Sequence, residues 1–164
     1  MADTLPQLRE PSRRVSPRAR TMWLAEAAAE SVVTFLVLLF VALVWAPFDV
    51  RWWMPALLGL VLATYVLVVP AWKYAVHRWE VTETAVYTQT GWWARERRIA
   101  PMSRIQTVDY AEGALERLFG LASVTVTTAS AAGAVNIGGL ERDLALRLVG
   151  ELTVKADSEP GDAT

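Results

Sequence analysis

The chain has no cysteine and only one histidine among its 164 residues. Disulfides, zinc–cysteine sites and thiol catalysis are therefore excluded, and a metal site built from several histidines is impossible. No glycine-rich phosphate loop, internal repeat or low-complexity tract is present, and the carboxylates do not cluster as paired catalytic acids would. We therefore expect a protein without catalytic activity, metal or cofactor.

The chain also lacks a large excess of either charge. The sequence contains 16 basic and 17 acidic residues, which gives a formal net charge of −1. Such a balance does not indicate a nucleic-acid-binding protein, and we expect no nucleic-acid partner. Hydrophobic residues make up 54% of the chain, which excludes an intrinsically disordered protein.

The hydrophobic residues concentrate in two runs, at 27–46 and 52–72, and Glu30 is their only charged residue. Each run has about the 20 residues that a helix needs to cross a bilayer core of about 30 Å. The linker at 47–51 is so short that the helices must be antiparallel, which predicts a transmembrane hairpin. Helices of a soluble bundle would carry a polar stripe, and a cleaved signal peptide would have a shorter apolar region.

Basic residues near the two runs predict the orientation of the hairpin. Lys73 and Arg78 follow the second run, whereas the linker between the runs contains only Arg51. Arginines also precede the first run, so both termini are expected in the cytoplasm. We assign to topology and to contact with anionic lipid four of these arginines: Arg13, Arg14, Arg18 and Arg20.

The composition divides the chain into four parts. Residues 1–22 are Arg-rich and contain three prolines, which predicts a flexible basic cytoplasmic tail. The hairpin occupies 23–73, and a cytoplasmic domain occupies 74–155. Residues 156–164 are expected to be a disordered tail.

Alternating apolar and polar residues predict that the domain is mostly β-structure. A short helical segment at 112–119 would place Leu115, Leu118 and Phe119 on one face, and 141–153 reads as an amphipathic helix. The fold class is therefore α+β: a two-helix transmembrane hairpin followed by a small antiparallel β-barrel or roll with a C-terminal α-helix. The predicted strands lie at 75–82, 85–90, 92–99, 104–110, 122–128 and 134–137.

Four sequence blocks resemble the bacterial PH-domain family of YdbS-like membrane proteins. The most specific are the Pro-x-x-Arg-Ile-Gln block within 97–109 and the Leu-Phe-Gly-Leu block within 115–126; residues 78–83 and 137–140 continue the similarity. The resemblance implies a PH-like fold on the cytoplasmic face of a bacterial membrane. It implies no reaction and no catalytic residue. The blocks also fit a structural explanation, as turn, proline and strand-edge positions of a barrel.

The densest basic cluster of the predicted domain is a candidate site for anionic lipid or a protein partner. Basic side chains beside tryptophans at a membrane surface favour docking on anionic headgroups. The alternative is a solvated strand edge whose charges block edge pairing. The candidate residues are Arg95, Arg97, Arg98, Arg104, Trp92 and Trp93.

Three further features each allow two interpretations. Glu26 and Glu30 lie four residues apart on one helix face, and they would form either an ion site or a water-exposed helix end. His77 would be either a pH sensor or a partly buried barrel residue. Residues 124–128 would be either an edge for peptide addition or a half-buried strand.

The sequence predicts a membrane-anchored PH-like binding or scaffold module on the cytoplasmic face of a bacterial inner (plasma) membrane. Its expected partners, besides the membrane, are a protein or a second copy of the chain, and anionic lipid. The alternative is a small subunit of a membrane transport or channel complex that uses Glu26 or Glu30.

Overall fold

A computed structural model describes residues 10–45, 49–91, 93–129 and 133–158, with the backbone alone at 157 and 158. Within these ranges a long helical hairpin is followed by strands and two further helices. The elements, in chain order, are β1 (Arg13–Arg14), α1 (Pro17–Trp45), α2 (Trp53–Val76), β2 (Arg78–Val81), β3 (Ala85–Thr90), β4 (Glu96–Pro101), a 3₁₀ turn (Met102–Arg104), β5 (Ile105–Ala111), α3 (Ala114–Phe119), β6 (Leu121–Thr128), β7 (Val135–Glu141) and α4 (Arg142–Ser158).

Helices α1 and α2 form the predicted hairpin, and both are long and apolar enough to cross a membrane. Most of their side chains beyond the first turns of α1 face outward, as expected for helices that lie in lipid. α1 begins ten residues before the predicted start at 27, and α2 extends to Val76. The first predicted strand, at 75–82, is therefore shortened at its start, since β2 begins only at Arg78.

The early start of α1 has a local cause. Pro17 occupies the first helical position, where its missing N–H costs nothing, and the Ser16 hydroxyl accepts a hydrogen bond from the Arg18 backbone N–H at 3.3 Å. Val15 and Met22 are buried in the core of the domain. The prediction of a flexible tail at 1–22 is therefore wrong for residues 10–22, while 1–9 lie outside the described ranges.

The first sheet has the strand order β1-β2-β3-β4, and all its pairings are antiparallel. β1 pairs Arg13 with Trp79 and Arg14 with Arg78, so the segment before the hairpin joins the domain that follows it. The predicted strand at 85–90 coincides with β3. The strand predicted at 92–99 lies instead at Glu96–Pro101, because the preceding residues form the connection from β3.

The second sheet has the order β5-β6-β7 and is also antiparallel. Val124 and Val126 of β6 point into the core, as their alternation predicts. β6 is the central strand, with β5 on one side and β7 on the other. The interpretation of this segment as a free edge for peptide addition is therefore wrong for residues 124–126, because both hydrogen-bonding edges of the strand are used there.

The helices of the domain differ from their predictions in packing and length. Leu115 and Leu118 of α3 are exposed, at 44% and 78%. Of the predicted apolar face of this segment, only Phe119 packs against the core. α4 reaches Ser158, beyond the predicted end at 153 and into the tail predicted to be disordered; residues 159–164 lie outside the described ranges. Ala145, Leu148 and Leu152 of α4 are buried in the core cluster that also contains β6 and β7.

Candidate binding surface beside the membrane hairpin

Arg97 is held by a chain of contacts that joins three parts of the molecule. Its Nη2 atom lies 3.0 Å from Glu10 Oε1, and its Nε atom donates to Gln89 Oε1 at 2.9 Å. Gln89 is buried and donates through Nε2 to the Val76 carbonyl at the end of α2, at 3.0 Å. Arg97 therefore links β4 to the segment before β1 and to the hairpin, which gives it a structural function.

The other basic candidates are not gathered around one point. Arg95 is 58% exposed and lies 3.9 Å from Glu10 Oε1, so it shares this carboxylate with Arg97. Arg98 points to the opposite face of β4, where it pairs with Glu96 at 2.6 Å and donates to the Ala134 carbonyl at 2.9 Å. Arg104 is exposed in the 3₁₀ turn at the far end of β4. The structure thus unites Arg95 and Arg97 and separates the other two.

The connection between β3 and β4 lies beside the domain-proximal end of α2. We call residues 91–95 the hairpin tip, because they form the turn of the β3–β4 hairpin and not of the transmembrane hairpin. Trp92 within this turn lies outside the described residues. Trp93 is 89% exposed. It lines a shallow pocket with a volume of about 380 Å³, together with Val68, Val69 and Trp72. Because Val68 and Val69 precede Trp72 in the second apolar run, the hairpin tip reaches the level at which α2 becomes apolar.

The tight turn of the hairpin tip depends on Gly91. Its φ is +121°, and a Cβ atom at this position would lie 1.8 Å from the Ala94 carbonyl oxygen. Any other residue would force the turn to open, so the glycine sets the position of Trp93 relative to α2.

The arginines assigned to topology are part of the folded structure. Arg13 and Arg14 form β1, and the Arg13 guanidinium lies 5.4 Å from the centroid of the Trp79 ring. Arg18 and Arg20 are exposed on the first turns of α1. All four lie on the domain side of the hairpin, so their charges sit at fixed positions rather than on a free tail.

The junction between hairpin and domain is built around Trp23. The Lys73 Nζ atom lies 4.4 Å from its ring centroid, and the His77 ring lies 5.1 Å away at an interplanar angle of 55°. His77 Nδ1 is 2.8 Å from the Lys73 carbonyl, which can only accept, so Nδ1 carries the hydrogen. Burial lowers the pKa of His77, which the hydrogen bond to this carbonyl partly offsets. His77 therefore caps α2 as a neutral ring and belongs to no strand.

Glu26 and Glu30 line a cavity of about 190 Å³ between α1 and α2, close to Lys73 and Tyr65. This arrangement places the two carboxylates on one side of the hairpin, at its domain-proximal end. No group of three or more His, Cys, Asp or Glu side chains in the described part of the chain could hold a metal ion.

Sequence reasoning missed two residues that organise this surface. Glu10, which carries the charge opposite Arg95 and Arg97, lies in a segment that was expected to be flexible. Gln89 belongs to no sequence motif; only its place in a largely buried strand distinguishes it. Both act through contacts between residues far apart in the sequence, which a local pattern does not reveal.

Comparison with known proteins gives a consistent result. The family described as "Bacterial PH domain" matches residues 22–155. The chain is also 31% identical over 143 residues to the UPF0699 transmembrane protein YdbS of Bacillus subtilis (strain 168), an alignment that covers 85% of this chain and 89% of the relative. No solved structure gives a significant match.

Proposed function

We propose, from the premise that this chain belongs to the bacterial PH-domain family, that it is a membrane-anchored binding or scaffold module without catalytic activity. Its PH-like domain would lie on the cytoplasmic face of the bacterial inner membrane. There it would present the hairpin tip to a protein partner or to anionic lipid.

The observation that carries this proposal is the fusion of domain and anchor. Val15, Ala19, Met22 and Trp23 belong to the same hydrophobic core as β6 and β7, although three of them lie in the helix that continues into the hairpin. The domain therefore has a fixed orientation relative to α1. A fixed orientation suits a module that presents one surface at a constant height above the membrane.

The distribution of positive charge supports the cytoplasmic face. Four arginines before the first apolar run, together with Lys73 and Arg78, lie on the domain side, and Arg51 lies at the opposite end of the hairpin. Juxtamembrane lysine and arginine are retained on the cytoplasmic side during insertion.

The lack of cysteine in the chain makes this orientation directly testable. Ser103→Cys is in the exposed 3₁₀ turn of the domain, and Asp49→Cys is exposed at the opposite end of the hairpin. In intact spheroplasts, a membrane-impermeant maleimide should label Asp49→Cys and should reach Ser103→Cys only after lysis. The reverse labelling pattern would overturn the cytoplasmic placement.

The hairpin tip is tested by photocrosslinking in native membranes. A photoreactive amino acid at Trp93 should capture one recurrent protein or an anionic phospholipid, and Arg95→Gln should reduce the yield because it removes an exposed positive charge. The matched control places the photoreactive group at Glu83, which is exposed in the turn at the other end of β3. Equal products at Trp93 and Glu83 would contradict a binding function of the tip.

The alternative is a small subunit of a membrane transport or channel complex. The observation in its favour is that Glu26 and Glu30 line a cavity between the helices. Farther along the hairpin, two cavities are lined almost entirely by apolar side chains such as Phe35, Leu38 and Leu62. A transport path would therefore need polar residues from another subunit. Ion flux in liposomes that contain only this chain would establish the alternative.

A further inference from the structure

The cavity between α1 and α2 is polar, unlike the remainder of the hairpin. We call it the interhelical cavity; it is lined by Trp23, Glu26 and Glu30 from α1 and by Tyr65, Pro70 and Lys73 from α2. Its volume is about 190 Å³. Since one water molecule occupies about 30 Å³ of liquid, this space is large enough for a group of about six heavy atoms or more.

The three charged groups of the interhelical cavity do not neutralise one another by direct contact. Among the described residues, no ion pair within 4.0 Å joins Lys73 to either carboxylate, although both carboxylates attract it electrostatically. The Lys73 ammonium lies instead over the Trp23 ring, 4.4 Å from its centroid. The cavity thus offers two separate negative groups and one positive group, with space between them.

The depth of the interhelical cavity limits the kind of ligand that reaches it. After Glu30, α1 contains no charged residue up to its end at Trp45, and α2 contains none before Lys73. The cavity therefore lies where the uncharged parts of both helices end on the domain side. At this depth in a membrane protein the neighbouring molecules are lipid headgroups.

Charge then selects among headgroups. A simple cation would be attracted by Glu26 and Glu30 but would leave Lys73 without a negative partner, and an anionic headgroup would be repelled by Glu26 and Glu30. A zwitterion can satisfy all three groups if its positive end donates hydrogen bonds to the carboxylates and its negative end accepts from Lys73. A primary ammonium has three N–H donors, and charge-assisted hydrogen bonds of this kind are strong.

We propose that the interhelical cavity binds the headgroup of phosphatidylethanolamine, with its ammonium between Glu26 and Glu30 and its phosphate at Lys73. The acyl chains would extend along the exposed apolar surface of the hairpin. Phosphatidylcholine has the same charges but no N–H donor, so the site should distinguish these two lipids. This site is separate from the hairpin tip and does not depend on the function proposed for it.

The experiment uses the full chain, purified in mild detergent and mixed with lipids that have identical acyl chains. Native mass spectrometry and thermal unfolding would compare phosphatidylethanolamine, phosphatidylcholine and phosphatidylglycerol. We expect phosphatidylethanolamine to bind at least about tenfold more tightly than the other two and to raise the unfolding temperature most. This comparison uses the unaltered protein, so it remains informative if a variant fails to fold.

A double variant and a control variant test whether the lipid preference arises at the interhelical cavity. In the double variant Glu26→Gln with Glu30→Gln, the preference for phosphatidylethanolamine should disappear, because the amides offer no negative charge to the ammonium. Glu83→Gln, in an exposed turn far from the hairpin, should preserve the preference.

Three results would overturn the proposal. The first is equal binding of phosphatidylethanolamine and phosphatidylcholine, and the second is a preference that survives in the double variant. The third is displacement of the lipid by soluble phosphoethanolamine at a similar concentration, which would show that the ligand is a soluble molecule and not a membrane lipid.

Discussion

The backbone of β7 approaches the first turns of α1 closely at Gly139. Its φ is +72°, and a Cβ atom there would lie 2.8 Å from the Ala19 Cβ. Gly139→Ala should lower the free energy of unfolding by about 2–5 kcal/mol, because left-handed backbone strain is added to overpacking. Urea unfolding of the detergent-solubilised protein, followed by tryptophan fluorescence, measures this change.

Gly133 provides the matched control for that prediction. Its φ is +77°, but a Cβ atom there would have no neighbour within 4 Å among the residues that the structure describes. Gly133→Ala should therefore lower the free energy of unfolding only by the cost of the backbone strain. Equal losses at both positions would mean that the contact of β7 with Ala19 contributes nothing.

Glu112 connects β5, α3 and α4 through its carboxylate. Arg142 Nη2 donates to its Oε2 atom at 2.8 Å, the Tyr110 hydroxyl donates to Oε1, and Arg117 Nε lies 3.6 Å from Oε2. The hydrogen bond from Arg142, and next that from Tyr110, lower the pKa of Glu112 below its ordinary range. The ionised form is therefore favoured in the folded domain.

This lowered pKa predicts a loss of stability in acid. Above the pKa of the unfolded chain the carboxylate is ionised in both states, and its full contribution is present; the contribution is lost as the pH falls through the lower pKa of the folded state. In Glu112→Gln, the urea midpoint should change less steeply between about pH 3 and pH 6 than in the unaltered protein. Glu83→Gln should leave the slope unchanged, and parallel curves for the unaltered protein and Glu112→Gln would contradict the prediction.

At the scale of elements, α1 belongs to two environments. Its first turns are part of the domain core, and its later turns are exposed and apolar. Met22→Ala should lower the free energy of unfolding of the domain by about 2–5 kcal/mol, because it leaves a cavity in that core. The same urea titration detects the change.

Leu24 lies two residues along the same helix and is 39% exposed. Leu24→Ala should lower the free energy of unfolding much less than Met22→Ala, because the Leu24 side chain is already partly exposed in the folded protein. Similar losses for the two variants would show that the first turns of α1 are not part of the core and that they behave as the flexible tail expected from the sequence.

Periodicity predicted the elements that are long or regular. The hairpin helices, β3 and the alternation in β6 follow from local pattern, because each repeats one contact environment over many residues. β1 was not predicted, because two arginines carry no strand signal and their partner strand, β2, follows only after the whole transmembrane hairpin in the sequence. The start of α1 was hidden because its buried residues are few and lie among arginines.

The candidate surface was predictable only in part. The sequence identifies the basic residues of β4 and the neighbouring tryptophans, but it does not reveal that Arg97 is held by Glu10 and Gln89. Nor does it place Arg98 and Arg104 apart from Arg95. These facts depend on strand direction and on distant contacts, so composition and spacing alone cannot supply them.

At the scale of the whole molecule, the domain is attached to the hairpin twice. α1 enters the domain core directly, and α2 is joined to β2 through the single residue His77. The contact between Gln89 and the Val76 carbonyl reinforces the second connection. Two short connections constrain rotation about either one, so the orientation of the domain should be nearly constant.

Spin labels can measure this constancy, with one label at Ser103→Cys in the domain and one at Leu57→Cys on α2. The distance distribution should be narrow in the otherwise unaltered chain. Inserting Gly-Ser-Gly between His77 and Arg78, or Gly-Gly between Ala25 and Glu26, should broaden it modestly, because the other connection persists. Both insertions together should broaden it severalfold. A broad distribution after one insertion alone would mean that this connection by itself sets the orientation, and that the other acts only as a tether.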